Sequence, residues 1–386
     1  MSDRIEYPED PNALREFLLN AVQSIAPVVA DTTRESEADR TLAPAAVAGL
    51  RESGLLGMKS PRAVGGAEAH PALQIEVIEA LTKIDSAAGW GLLIAGGIAA
   101  RALATLPEDV VEEMVAPRGI PFVAGSLKPD GTAKAVEGGF EVTGRWGWAS
   151  GVAHADFVVA PVFLDDRSGA IMAVVPANQA EIHDNWFPLG MRGSGSSDFS
   201  LDRVFVPSRF ASSALGPIRG GALYRLGYGS AAHEHGAFAV ALAQTALDTV
   251  VETAKNKRRG YVGSSSVAER EVFQAAIAEA EMRIKAVRSL MVDATRRLFE
   301  SAAEGPAPIA FQAEARAAAT FCTSEAVAVT TKLLRFAGGS AVMAGNPLER
   351  IMRDLYTAQS HLFVSESAYE NLGKLRLGLT DQAPLG

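Results

Sequence analysis

One cysteine, Cys322, stands in a chain of 386 residues. No internal disulfide can form, so packing alone has to hold the fold, as suits a reducing cytosol. Positive charge is also scarce: 36 Lys and Arg against 45 Asp and Glu leave a formal charge of −9. That excludes a global positive field for a phosphate backbone, and short basic runs such as KNKRRGY and MRDLY do not replace one, so nucleic acid is not an expected partner. Long apolar runs are missing. The longest, Trp90 to Ala100, stops at Arg101; it is about half of what a spanning helix needs, so it reads as a buried helix and no membrane association is expected. The first residues, MSDRIEYPEDPN, are acidic and lack a signal peptide's apolar stretch, which points to a cytoplasmic protein. Aromatics are only 7%, with four tryptophans, so each tryptophan is informative. What is abundant is ordinary: 48% hydrophobic and 21% charged residues mark a globular chain and exclude a disordered one.

The hydrophobic period changes twice. From Leu14 to about Ala116 it is helical, with Leu14, Phe17, Leu18 and Val22 spaced to form one apolar stripe. Ser60-Pro61 and Gly65-Gly66 interrupt this stretch as a loop. From about Ile120 to Pro207 short strand-like pieces follow (FEVTGRWGW, ADFVVAPVF, AIMAVVPA, FSLDRVFVP), bounded by turn residues. From about Leu226 long helices return. Helices, then strands, then helices make an α+β chain and argue against βαβ alternation. The expected divisions are 1–118, 119–222 and 223–386.

Several motifs dissolve on inspection. GSGSS (193–197) and GGSAVMAG (338–345) are glycine-rich, but neither follows a strand while opening a helix. Ser150, His154 and Asp156 crowd one extended segment, whereas triad members converge from separate elements. His233 and His235 flank Glu234 at a spacing that points two imidazoles apart on a helix, so no metal site is expected. One constellation survives. GRWGWASG (144–151) puts Trp146, Trp148 and Ser150 on one face of a strand. Two rings and a hydroxyl suit a flat cofactor with a polar edge, and they equally suit a Trp–Trp core. NWFPLGMRGSGSSDF (185–199) adds Trp186, Arg192 and small residues that let a ligand approach backbone donors.

Taken in order, these segments resemble the acyl-CoA dehydrogenase superfamily along the whole chain. The resemblance rests on Gly54, Pro61 and Gly65-Gly66, on GRWGWASGVAHADFVV, on LGMRGSGSSDFSLDRVFVP, on KRRGY and on FAGGSAVMAGNPLERIMRDLYTA. It implies an N-terminal helical domain, a central antiparallel β-barrel-like domain, a C-terminal four-helix bundle, a bound flavin and a homotetramer whose neighbouring subunits complete the flavin site. Dehydrogenases of the superfamily commonly carry a catalytic glutamate after an Arg-Asp signature; here that slot falls on Leu362, just after His361. The dehydrogenase TEPxxGSD-like loop is replaced by AGSLKPDGTA. Both departures resemble the group D flavin monooxygenases, the oxygenase components of two-component systems.

That resemblance implies reduced flavin, FAD or FMN, delivered by a separate NAD(P)H:flavin reductase. It also implies O2, a C4a-hydroperoxyflavin, no metal, and a small hydrophobic substrate of aromatic or heteroaromatic kind. On it, His361 carries proton traffic, Ser150 bonds the flavin N5/O4 edge or the substrate, and Trp148 packs along the ring system. Ser126, Ser194 and Ser196 join the flavin-binding set, while Arg258, Gly338 and Gly339 hold its tail. Trp186, His233, His235 and Ile98 line the substrate pocket, Ile98 standing where seco-steroid-type members carry a second histidine. Blander roles stay open: a capping or core histidine for His361, a solvated arginine for Arg258, turn caps for Ser194 and Ser196. The alternative activity is an FAD-dependent acyl-CoA dehydrogenase with Glu234 as base, and the third is a non-catalytic flavin-binding paralogue.

Overall fold

The computed structural model describes residues 5–213, 219–227, 231–256, 258–259 and 265–382. They gather into two compact units. One holds the chain up to Val77 with Ala87–Phe187 and Arg192–Tyr224; the other holds Ile78–Ser86, Pro188–Met191 and the chain from Arg225.

The first unit opens with helix α1 (Pro11–Asp31), started by Asp10, whose carboxylate accepts from the N–H of Asn12 and Ala13 at 3.0 and 2.8 Å. Leu14, Leu18 and Val22 are buried as their spacing requires, and the stripe continues through Ile25 and Val29. Phe17 lies at its margin, edge-on to Tyr7 with ring centroids 5.6 Å apart. Helices α2 (Thr33–Asp39) and α3 (Pro44–Glu52) follow. In the Gly65-Gly66 loop a Cβ on Gly66 would lie 2.2 Å from the Ser60 carbonyl oxygen, so glycine is required for that approach. Helix α4 (Pro71–Ile84) contributes its first half here and its second half to the other unit. Helix α5 (Ser86–Thr105) contains the Trp90–Ala100 run and is a mostly buried core helix. Its residues Ala99 and Leu103, with Leu106 just beyond it and Val110 and Met114 of helix α6 (Glu108–Val115), pack on the sheet through Val142, Trp146, Val158 and Val162.

That sheet comprises β1 (Val123–Gly125), β2 (Gly131–Val136), β3 (Gly139–Trp146), β4 (Phe157–Leu164), β5 (Ala170–Pro176), β6 (Glu181–Ile182), β7 (Phe199–Pro207) and β8 (Ala211–Ser213). The order is β6-β7-β3-β2-β4-β5-β8, with β1 also on β4. Strands β2 and β3 form a hairpin, Val136 opposite Gly139, whose two-residue turn puts Gly138 at φ +80°. The sheet is mixed, which corrects the purely antiparallel expectation. Both β1 and β2 run parallel to β4, because the chain returns through Trp148–Asp156 before entering β4 instead of folding straight back.

The second unit is helical: α7 (Ala232–Asn256), α8 (Glu271–Ser301), α9 (Ile309–Ala337), α10 (Pro347–Ala358) and α11 (Ser367–Arg376). A small ribbon of β9 (Arg258–Arg259) and β10 (Ser265–Ser266) lies between α7 and α8. Helices α7, α8 and α9 pack on one another, α10 on α7 and α9, and α11 on α9. Gly236 makes the α7–α9 approach close: a Cβ there would sit 2.4 Å from Met291 Sδ and 3.3 Å from Ala319 Cα. The N-terminal helices and the sheet share one unit, and the main boundary between the units in the chain lies at Tyr224–Arg225.

Candidate functional site

In the first unit, β3 ends at Trp146, and this ending corrects the expectation that Trp146, Trp148 and Ser150 share a strand face. Trp146 is wholly buried, stacked on Phe199 at 5.1 Å, with its indole N–H donating to the Pro161 carbonyl at 2.9 Å. The core reading therefore holds for Trp146. Beyond it the backbone turns: Trp148 sits at φ +58°, unusual for a bulky residue, and Gly151 at +75°. The Ala149 N–H bonds the Ser197 carbonyl at 3.1 Å and the Gly151 N–H the Ser194 carbonyl at 2.9 Å, tying this turn to the GSGSS segment. The turn leaves the Trp148 ring 78% exposed.

The same turn buries Ser150 in a ladder of hydroxyls. Trp90 Nε1 donates to Ser150 Oγ at 3.1 Å, Ser150 Oγ meets Ser196 Oγ at 2.8 Å, and Ser196 Oγ meets Ser194 Oγ at 2.7 Å. All three serines are buried. Indole N–H is donor only, so Ser150 must accept from Trp90. Three hydroxyl protons then serve two hydroxyl–hydroxyl bonds, which leaves one buried O–H donor with no further acceptor among the described residues. A buried donor of that kind fits a ligand with a polar edge. The turn-capping reading of Ser194 and Ser196 does not describe these side chains, which bond each other.

Other expected positions in this unit are occupied differently. Ser126, half-buried after β1, accepts from the Lys128 N–H at 3.3 Å. Trp186 is half-buried and its indole N–H donates to the Arg192 carbonyl at 3.1 Å, closing a turn that Arg40 braces through Asp184 at 2.6 Å and the Trp186 carbonyl at 3.2 Å. Ile98 packs against the sheet core. His154 lies edge-on to Phe122 at 4.4 Å; burial, aided by the Arg51 cation, pushes its pKa down to about 4, which makes it a neutral core histidine.

In the second unit, His233, Glu234 and His235 open α7 and all are buried. His235 Nδ1 lies 3.1 Å from the Ala231 carbonyl oxygen, which only accepts, so the proton is on Nδ1 and Nε2 carries the lone pair. His361 caps the turn Leu362–Val364: its Nδ1 accepts from the Phe363 N–H at 3.3 Å, so its proton is on Nε2. The two imidazoles stack 4.3 Å apart at 27°, and Phe363 contacts both. The capping reading of His361 is thus realised, and it places the ring's proton on Nε2. Burial pushes the His361 pKa down to about 4, which keeps the ring neutral at ordinary pH. Among the described residues no three His, Cys, Asp or Glu gather as metal ligands.

The Arg-Asp signature is a clamp. Asp354, 1% exposed, accepts from Ser86 Oγ and from the Met191 N–H, each at 2.6 Å. Thr357 Oγ1 accepts from the Gly190 N–H at 3.0 Å, and Arg353 pairs with Glu349 while donating to the Leu189 carbonyl at 3.1 Å. Segment Pro188–Met191 is thereby strapped to α10. Gly338 ends α9 at φ +74°, and Gly339 has open space where a Cβ would point. Arg258 lies in β9; its side chain falls outside the described structure, as does much of KRRGY. Trp90 and Asp354 were not singled out from sequence. The usable cue for Trp90 was that a buried indole N–H needs an acceptor.

Comparison with known proteins agrees with this architecture. Residues 10–118 match the acyl-CoA dehydrogenase N-terminal domain and residues 234–366 the acyl-CoA dehydrogenase C-terminal domain, together more than half of the chain. An indole-3-acetate monooxygenase of Pseudomonas putida is 27% identical over 371 residues, spanning 93% of each chain. The flavin-dependent monooxygenase oxygenase subunit HsaA of Mycobacterium tuberculosis is 28% identical, spanning 94% of this chain and 96% of its own. Among solved structures, XiaF from Streptomyces sp., in complex with FADH2 and glycerol, superposes with a TM-score of 0.89 at 24% identity, over 97% of this chain and 98% of its own.

Proposed function

The chain belongs to the acyl-CoA dehydrogenase family, and we propose that within it this protein is the oxygenase component of a two-component flavin monooxygenase that hydroxylates a small aromatic or heteroaromatic compound in the cytoplasm. The observation that carries the reading is the stack of His235 on His361, the latter held neutral by burial, with Leu362 and not a carboxylate in the slot of the dehydrogenase glutamate. Full-length likeness to monooxygenases supports it.

Reduced flavin, when bound, supplies two electrons to O2, so that one oxygen atom enters a substrate C–H bond and the other leaves as water. The buried hydroxyl ladder fits such a group: the unspent O–H among Ser150, Ser196 and Ser194 would meet its polar edge, and Trp148 would flank its rings. Arg258, and from a neighbouring subunit Gly338 and Gly339, would hold its tail; Gly339 has open space where a Cβ would point. Val342 and Met343 beside them are 74% and 65% exposed, apolar surface that a homotetramer would cover.

Proton handling follows from the tautomers. His235 Nε2 can take a proton from a substrate hydroxyl, and His361 Nε2–H can give one to an oxygen that develops negative charge. Stacked at 4.3 Å, the two rings hold each other in place for these transfers. The apolar Phe363 edge limits water around both rings. The test supplies reduced flavin from a reductase, 18O2 and a panel of phenols and indoles; a product carrying one 18O atom is expected. Anaerobic bleaching of the flavin-loaded protein by acyl-CoAs would instead establish a dehydrogenase, for which Glu234 is the candidate base.

A further inference from the structure

Helix α9 buries a cation in its most alanine-rich stretch. Arg316, within AEARAAAT, is 4% exposed. Taking a guanidinium out of water is costly unless its donors are met. Its Nη2 and Nε are met by the turn that follows His361. Nη2 donates to the Leu362 carbonyl at 2.8 Å and to Ser367 Oγ at 3.0 Å, and Nε reaches the Phe363 carbonyl at 3.4 Å. Ser365 Oγ ties back to the Leu362 carbonyl at 2.9 Å and to Ser367 Oγ at 2.7 Å. The Leu362 carbonyl that Arg316 grips belongs to the same peptide group as the Phe363 N–H, and that N–H in turn holds His361 Nδ1.

We propose that Arg316 is the positioning residue of His361: its guanidinium fork fixes the Leu362–Phe363 peptides so that the Phe363 N–H locks the imidazole in its Nε2–H tautomer and against His235. The assignment rests on His361 serving the reaction proposed above. Burial lowers the pKa of Arg316, and it remains a cation, since guanidinium does not deprotonate in proteins. A planar fork is what two successive carbonyls and a hydroxyl require, and an ammonium group cannot reproduce it.

The test is nitrogen NMR of protein carrying 15N-histidine, with His361 assigned by its absence in His361→Asn. In the native protein the His361 Nδ1 signal is that of an unprotonated, hydrogen-bonded nitrogen. Arg316→Gln is expected to average it toward tautomer exchange and to lower product per flavin oxidised by about tenfold or more, as a misplaced catalytic group does. Arg316→Lys should lie between. Ser367→Ala, which removes one acceptor and spares the cation, gives a smaller change in the same direction and serves if Arg316→Gln does not fold. A native-like tautomer signal in Arg316→Gln overturns the proposal. A shifted signal in Arg316→Gln alongside full turnover in His361→Asn would keep Arg316 as the positioner and refute instead the catalytic reading of His361.

Discussion

Replacing Ser196 by alanine tests the hydroxyl ladder where it is most connected. Ser196 Oγ meets both Ser150 Oγ at 2.8 Å and Ser194 Oγ at 2.7 Å, and all three groups are buried. The substitution removes two hydrogen bonds and strands the Ser194 hydroxyl, whose side chain bonds Ser196. A net hydrogen bond contributes about 1 kcal/mol and a stranded buried donor costs about 1–3 kcal/mol. The expected loss is therefore about 3–5 kcal/mol, smaller if a water fills the gap left by the hydroxyl. Ser150 keeps the Trp90 donor at 3.1 Å but loses the partner that sets where its own proton points. Reduced-flavin affinity should then fall by about tenfold, equivalent to about 1.4 kcal/mol. Urea titration gives the first quantity and anaerobic equilibrium binding the second. A stability change below about 0.5 kcal/mol together with native flavin affinity would refute the reasoning, because surface-like neutrality is incompatible with a ladder that orders a ligand-facing proton.

His361→Asn should retain fold and reduced-flavin binding while product formation is lost and oxygen is diverted to peroxide; unchanged turnover would remove His361 from the site. Because burial holds the pKa of both His361 and His154 at about 4, against 6.5 for the free side chain, the folded state binds fewer protons than the unfolded one between those values. Stability from each is thus complete above about pH 6.5 and is lost as pH falls toward 4, by up to about 3 kcal/mol per residue; a flat urea midpoint from pH 7 to 4.5 would contradict this. Asp354→Ala should destabilise by about 3–5 kcal/mol, since it deprives the buried Met191 N–H, Ser86 hydroxyl and Arg350 side chain of one shared carboxylate. A loss under about 1 kcal/mol in urea would show that the strap does not depend on it.

The sequence by itself determined whatever is carried by local period and local chemistry. The stripe from Leu14 to Val22 and the buried helix around Trp90 each follow from spacings of a few residues, and the order of helices and strands follows with them. Motif order likewise carried the family, since each motif is a short contiguous run. The sequence also placed Ser150 and His361 among the residues to watch, by that family resemblance.

What it did not carry is which residue meets which across the fold. Period two put Trp146, Trp148 and Ser150 on one face, but β3 stops at Trp146 and the turn at φ +58° separates a core ring, an exposed ring and a buried hydroxyl. Ser150 meets Trp90 across 60 residues and Ser196 across 46, while Arg316 meets Leu362 across 46. Such pairings depend on how helices and sheet close over one another, and nothing in the intervening sequence encodes them locally. The parallel pairing of β1 and β2 with β4 has the same origin, for it is set by the path of the Trp148–Asp156 return. Tertiary structure alone also decided the two histidine tautomers, because a ring's proton follows the partner it meets: the Ala231 carbonyl for His235, the Phe363 N–H for His361.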